Sequence, residues 1–187
     1  MGASEGWSQS FERLAALLGA RMETPTRAAG PRAALEGERD IAITREFDAP
    51  RELVFEAFTD PRHVAQWWGP RGFTTTTSEM DVRPGGVWRF VMHGPDGRDY
   101  PNKIVYVEVV RPERLVYRHA GETGTEPVNF QVSVVFEKAG AGTRVSWRMT
   151  FPSSKARDFV VTTYGAVDGL TETVGRLAEY LSQGARP

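Results

Sequence analysis

The 187-residue chain contains no cysteine. That absence excludes a disulfide framework, a thiolate nucleophile and cysteine metal sites, and it fits a reducing compartment. Lysine is scarce, present only at Lys103, Lys138 and Lys155, so positive charge rests on scattered arginines. The net charge of -1 offers no field of one sign for nucleic acid or an anionic membrane surface. No run reaches about 18 uninterrupted apolar residues, so no membrane-spanning helix is expected. Glu5, Glu12 and the short apolar run at 14–18 argue against a secretory signal, and no Asn-x-Ser/Thr site occurs. The expected location is the cytoplasm.

Several chemical signatures are also missing. The histidines, His63, His93 and His119, show neither His-x₃-His nor HExxH spacing, so no metal site is expected. Gly85-Gly86 lies between strand signals and matches neither phosphate-loop pattern. There is no Gly-x-Ser-x-Gly elbow to carry a nucleophilic serine. No catalytic residue, metal or cofactor is assigned.

What is present is ordinary globular composition: 40% hydrophobic, 11% aromatic and 25% charged, enough apolar mass for one sizeable core. The chain divides near residue 38. Residues 7–22 place Trp7, Phe11, Leu14, Leu17 and Leu18 at helical spacing, a short amphipathic helix. Residues 24–38 (TPTRAAGPRAALEGE) read as a linker. Residues 1–38 are thus expected as an arm, either a loosely held one or a helix for self-association or a protein partner. Residues 39–187 are expected as the folded domain.

From Asp40 the pattern changes. Ile41, Ile43 and Phe47 alternate as in a half-buried strand. Asp48 and Pro50 signal a helix start, and Asp60-Pro61 repeats the signal. Two short helices should follow, one with Leu53, Val54, Ala57 and Phe58 on its apolar face, the other carrying Val64, Trp67 and Trp68. Strand signals then come at 73–82, 87–93, 104–110, 115–119, 128–136 and up to 151, separated by Gly- and Pro-rich turns. Trp88, Phe90 and Met92 share one face of their strand, as do Val128, Phe130, Val132, Val134 and Phe136, and Val145, Trp147, Met149 and Phe151. After Pro152 the period is helical: Val160, Tyr164, Val167, Leu170, Val174, Leu177 and Leu181 form one stripe. A single helix over 154–182, about 43 Å long, is expected, capped by Ser153 or Ser154 and stopped at Gly184. Gly165, Gly169 and Gly175 fit close packing or a locally loosened helix.

The blocks FDAPRELVFEAFTDPRHVAQWWGP (47–70), DVRPGGVWRFVM (81–92), PDG (95–97), VYVEVVRPERLVY (105–117) and AVDGLTETVGRLAEYL (166–181) occur in a recognisable order. Over residues 40–183 the chain resembles homologues of the activator of heat shock protein 90 ATPase, the Aha-type C-terminal domain family of the START-like (SRPBCC, helix-grip) superfamily. The resemblance implies an α+β helix-grip fold. Its curved antiparallel sheet, here of about seven strands, wraps a long C-terminal helix, with two short helices after the first strand. It also implies a cavity between sheet and helix. Superfamily members bind lipids, hormones or polyketide intermediates, some catalyse, and many bacterial members have no assigned ligand, so the fold does not name one function.

The aromatic residues Trp67, Trp68, Trp88, Phe90, Tyr117, Phe130, Trp147 and Tyr164 fall mostly on inward faces, either as a large core or as a ring-lined pocket with polar tips. With Met92, His119, Met149 and Leu170 they form the expected ligand-binding set. His119 shares strand parity with Leu115 and Tyr117, whereas His63 and His93 read as exposed. Glu79 and Asp81 read as solvated or as turn-fixing carboxylates, and Glu108 as outward-facing unless an arginine pairs with it. The leading function is binding of a small apolar or amphipathic molecule. The alternatives are a co-chaperone-like protein-interaction module and a cyclase-like enzyme acting on a cyclic or aromatic substrate.

Overall fold

The computed structural model describes residues 30–120 and 129–184. The amphipathic helix expected at 7–22 and the inward Val128 lie outside the described residues. Eight strands form one sheet: β1 (Ala34–Glu36), β2 (Asp40–Phe47), β3 (Thr74–Met80), β4 (Val87–His93), β5 (Asp99–Val110), β6 (Arg114–His119), β7 (Phe130–Ala139) and β8 (Gly142–Thr150). Every neighbouring pair is antiparallel, in the order β1-β2-β8-β7-β6-β5-β4-β3. Helices α1 (Arg51–Thr59) and α2 (Pro61–Trp67) follow β2, and α3 (Ser154–Tyr164) and α4 (Ala166–Ser182) follow β8. Among the described residues, no helix is long and apolar enough to cross a membrane.

One face of the sheet is apolar because the strand alternation stays in register across it. The row Ile41–Met149–Val132–Tyr117–Tyr106 runs over five strands, and Ile43–Trp147–Val134–Leu115 runs beside it. The opposite face carries charge pairs. Arg144 meets Glu46 at 2.7 Å, and Arg148 bridges Asp40 and Glu36 at 2.6 and 2.5 Å. Such exposed pairs fix strand neighbours more than they stabilise the fold.

Four expectations change. The sheet has eight strands, not about seven, because residues 34–36 of the presumed linker pair with β2 as an edge strand. Next to it Ala33 is buried and its N–H donates to Thr171 Oγ1 at 3.0 Å. Strand β5 begins at Asp99 rather than 104, since Tyr100 and Asn102 continue the buried parity opposite Met92 and Phe90. Pro101 is tolerated there because, among the described residues, β6 pairs with β5 only from Ile104 onward.

The single C-terminal helix is in fact two. Gly165 sits in the left-handed region (φ 58°, ψ 39°) and both ends α3 and precedes α4. Left-handed backbone is cheap for glycine alone, so the break falls there, while Gly169 and Gly175 lie inside α4. Ser153 caps α3 by accepting from the Ala156 N–H, and Asp60 caps α2 by accepting from Arg62 N–H at 2.8 Å. The expected Asp48 cap is not formed: α1 starts from Pro50 without a side-chain cap.

The short helices close one end of the apolar face. Phe55 and Phe58 pack edge-on against Phe136 of β7, with centroids 5.2 and 5.1 Å apart. Trp67 lies 4.8 Å from Phe58, and its indole N–H donates to Ala57 O at 3.0 Å. Helix α4 lays Leu170, Thr173, Val174, Leu177 and Leu181 inward, a stripe at the spacing of one helix face.

Candidate functional site

A cavity of about 160 Å³ lies between the apolar sheet face and helices α3 and α4. The sheet contributes Met92 from β4, Tyr117 and His119 from β6, Phe130 and Val132 from β7, and Trp147 and Met149 from β8. Val160 and Tyr164 approach from α3, and Ala166, Gly169, Leu170 and Thr173 from α4. The turn after α2 supplies Trp68, Gly69 and Pro70. The register explains the sheet wall: Tyr117, Val132 and Met149 are direct cross-strand neighbours, and His119 lies opposite Phe130.

Nine of the expected residues therefore share one cavity wall: Trp68, Met92, Tyr117, His119, Phe130, Trp147, Met149, Tyr164 and Leu170. Three do not line it. Trp67 belongs to the closed end with Phe58. Trp88 and Phe90 stack on each other at 4.1 Å, both buried, and Trp68 covers Trp88 edge-on at 4.7 Å. They face inward as their parity requires, but lie under Trp68 instead of at the void. Val132, Val160 and Thr173 carried no signal in the sequence beyond ordinary core periodicity.

The wall bears no charged side chain. His119 is half-buried and stacks on Phe130, with centroids 4.9 Å apart and an interplanar angle of 22°. Desolvation lowers its pKa to about 4, so the ring is neutral at pH 7. Burial pushes the Tyr117 phenol well above its usual range, with the neighbouring Tyr106 adding to the effect, so Tyr117 keeps its proton. The hydroxyl of Thr173 donates to Gly169 O at 2.8 Å. Tyr117 Oη and Trp147 Nε1 are buried with no hydrogen-bond partner.

The 68–70 turn of the cavity wall is held by a residue that sequence reading passes over. Arg176 projects from α4, and its Nη1 donates to the carbonyls of Trp68, Gly69 and Pro70 at 3.3, 2.9 and 3.1 Å. It thereby fixes the turn that presents Trp68. Desolvation lowers the Arg176 pKa, and the nearby Arg71 adds to this. On the same side, the Arg71 N–H donates to Glu172 Oε2 at 2.9 Å, and its guanidinium pairs with Glu179.

The remaining candidates lie elsewhere. His63 is buried, contrary to expectation, because it packs under α4, with Nδ1 2.5 Å from Tyr180 Oη. His93 is half-buried and pairs with Asp99 at 2.6 Å. Glu79 pairs with Arg89, Asp81 with Arg83 at 2.7 Å, and Glu108 with Arg114 at 3.8 Å, all away from the cavity. Glu56, Asp60 and His63 bring potential ligand atoms within 4.8 Å of one another, but Asp60 is engaged by Arg62 through both oxygens.

A sheet gripping a C-terminal helical segment around an apolar void, with two short helices after an early strand, defines a helix-grip protein. The chain belongs to the Activator of Hsp90 ATPase homolog 1-like family, whose model matches residues 48–182. Solved structures agree. A protein from Nitrosomonas europaea is 25% identical with a TM-score of 0.72, covering 81% of this chain and 99% of its own. One from Arthrobacter aurescens is 24% identical with a TM-score of 0.74, covering 82% and 92%. The AHSA1 protein of Silicibacter pomeroyi is 21% identical with a TM-score of 0.63, covering 77% and 98%. Among curated proteins, none matches this sequence.

Proposed function

We propose that this protein binds a small apolar or amphipathic molecule in the cavity between the sheet and helices α3 and α4. One observation carries the reading: a concave pocket of about 160 Å³ lies between the aromatic sheet face and the C-terminal helices, and its wall has no charged side chain. A mostly apolar pocket with a few polar groups is the usual form of a small-molecule site. The absence of cysteine fits a cytoplasmic setting for this binding.

The test is thermal unfolding with tryptophan fluorescence across a panel of ring-sized and acyl-chain molecules. A ligand that binds only the folded state stabilises it by about 2.7 kcal/mol at a hundredfold excess over its Kd. Stabilisation and tryptophan quenching should rise together, because Trp68 and Trp147 both face the void. A panel that neither stabilises nor quenches, with a crystal structure showing the rings packed solid, would overturn the proposal.

The protein-interaction alternative needs a contiguous exposed apolar surface. Among the described residues, the exposed large apolar side chains are Leu35, Val107, Val110 and Phe159, spread over β1, β5 and α3. The cyclase-like alternative has one specific support, the neutral imidazole of His119 on the cavity wall. It requires turnover of a cyclic substrate that His119→Ala abolishes.

A further inference from the structure

Arg176 is a part-buried cation without a counter-ion. Its Nη1 is spent on the carbonyls of Trp68, Gly69 and Pro70. It makes no ion pair among the described residues, and Glu172 and Glu179 act on it only at longer range. A charge taken from water without an opposite charge beside it is costly. Arg71 lies close enough to oppose it, which adds to that cost.

The other edge of the guanidinium is open. The Arg176 Nε–H meets no acceptor among the described residues and stays accessible to solvent. Its Nη2 bond to Gln66 O is long, 3.4 Å, and exposed. The Nε–H and Nη2–H of an arginine lie side by side, a fork that takes both oxygens of a carboxylate.

This edge belongs to a second pocket, of about 220 Å³. Gln66 and Arg176 line it together with Arg71, Gly72, Glu179 and Tyr180, and it shares no lining residue with the apolar cavity. The lining holds two cations and one carboxylate, an excess of one positive charge. The Arg71 guanidinium is paired with Glu179, but the pair is exposed, with side chains 50% and 56% accessible. Exposed pairs contribute little, so Arg71 can turn to a guest at small cost. Glu172, which accepts the Arg71 N–H at 2.9 Å, stands just outside the lining, and its charge weighs against a guest carrying two negative charges.

We infer that this second pocket binds a small monocarboxylate, its two oxygens on the Arg176 Nε and Nη2 edge and Arg71 supplying the second cation. The site is separate from the apolar cavity and goes beyond the function proposed for it.

The experiment uses the full chain at constant ionic strength and three probes: lactate, its neutral counterpart lactamide, and inorganic phosphate. Affinities are measured by calorimetry for the wild type, Arg71→Ala and Glu179→Gln, two changes at exposed positions. The Arg176 Nε–H resonance is followed by NMR and assigned through its loss in Arg176→Lys. Lactate should shift that resonance saturably, and lactamide should bind at least about tenfold more weakly. Phosphate should bind more weakly than lactate. Arg71→Ala should weaken lactate by about three- to tenfold, and Glu179→Gln should tighten it, because a competing carboxylate is gone. If Arg176→Lys fails to fold, the two exposed variants decide. Equal binding of lactate and lactamide, phosphate binding as tightly as lactate, lactate binding that leaves the Arg176 resonance in place or is indifferent to Arg71→Ala, or no lactate binding at all, each overturns the inference. None of these outcomes touches the proposal for the apolar cavity.

Discussion

Trp68 and Trp147 pack against each other at one end of the cavity, ring centroids 5.5 Å apart and planes tilted by 32°. Trp147 is fixed by the register of β8, but Trp68 sits on a turn whose carbonyls Arg176 gathers. Arg176→Ala should therefore act through the turn. Removing the guanidinium takes the donor from Gly69 O, while Trp68 O keeps the Thr75 hydroxyl at 3.0 Å and Pro70 O keeps the Phe73 N–H at 3.2 Å, a loss of about 1–3 kcal/mol. Urea unfolding should show that loss, and Trp68 should become more accessible to acrylamide quenching. A stable variant with unchanged quenching would show that the turn holds itself.

The two glycines of the C-terminal region make a paired test. At Gly165 the backbone is left-handed, so Gly165→Ala should cost about 1–2 kcal/mol. Gly175 lies inside α4, and the nearest heavy atom to an added Cβ is Arg71 Nη2 at 3.9 Å. Gly175→Ala should then stabilise by up to about 1 kcal/mol through helix propensity. Opposite signs in chemical denaturation support the break at 165. Equal and small effects would favour one continuous helix in solution.

These glycines also show what the sequence could and could not reveal. The stripe from Val160 to Leu181 is legible because a single left-handed residue leaves the apolar face almost in phase, and that same continuity hides the break. Strand β1 was invisible for a different reason: Ala34, Leu35 and Glu36 are all exposed, so no burial pattern marks them. Strand parity places Trp88, Phe90, Tyr117 and Trp147 on the inner face, as found. Parity gives the face but not the depth, so Trp88 and Phe90 could not be told from true wall residues without knowing that Trp68 covers them. Arg176 left no trace because its partners are backbone carbonyls, which carry no residue-type signal.

His119 makes a pH prediction with a defined sign. Its pKa is about 4 in the fold against 6.5 for the ordinary imidazole. Between these values the unfolded chain takes up a proton that the folded chain refuses. Stability contributed by neutral His119 is therefore full above about pH 6.5, and is lost as pH falls toward about 4, by at most about 3 kcal/mol. Urea midpoints from pH 7.5 to 4.5 should fall more steeply in the wild type than in His119→Phe. Parallel curves would mean that the ring is well solvated in the folded protein.

Leu170 and Leu177 lie on the same stripe of α4 but meet different surroundings. Leu177 is fully buried and away from the void, whereas Leu170 is 6% exposed and lines it. Truncating a leucine costs its transfer energy plus a term for the hole left behind, and the surroundings decide how much of that term applies. Leu177→Ala opens a hole in packed core and should cost about 3–5 kcal/mol. Leu170 already has a void on one side and makes fewer contacts to lose, so Leu170→Ala should cost about 2–3 kcal/mol. The same change enlarges the cavity, so a bulkier ring such as naphthalene should gain affinity in Leu170→Ala and not in Leu177→Ala. Equal destabilisation by both substitutions, with no change in the preferred ring size, would show that in solution α4 packs down and the void is closed.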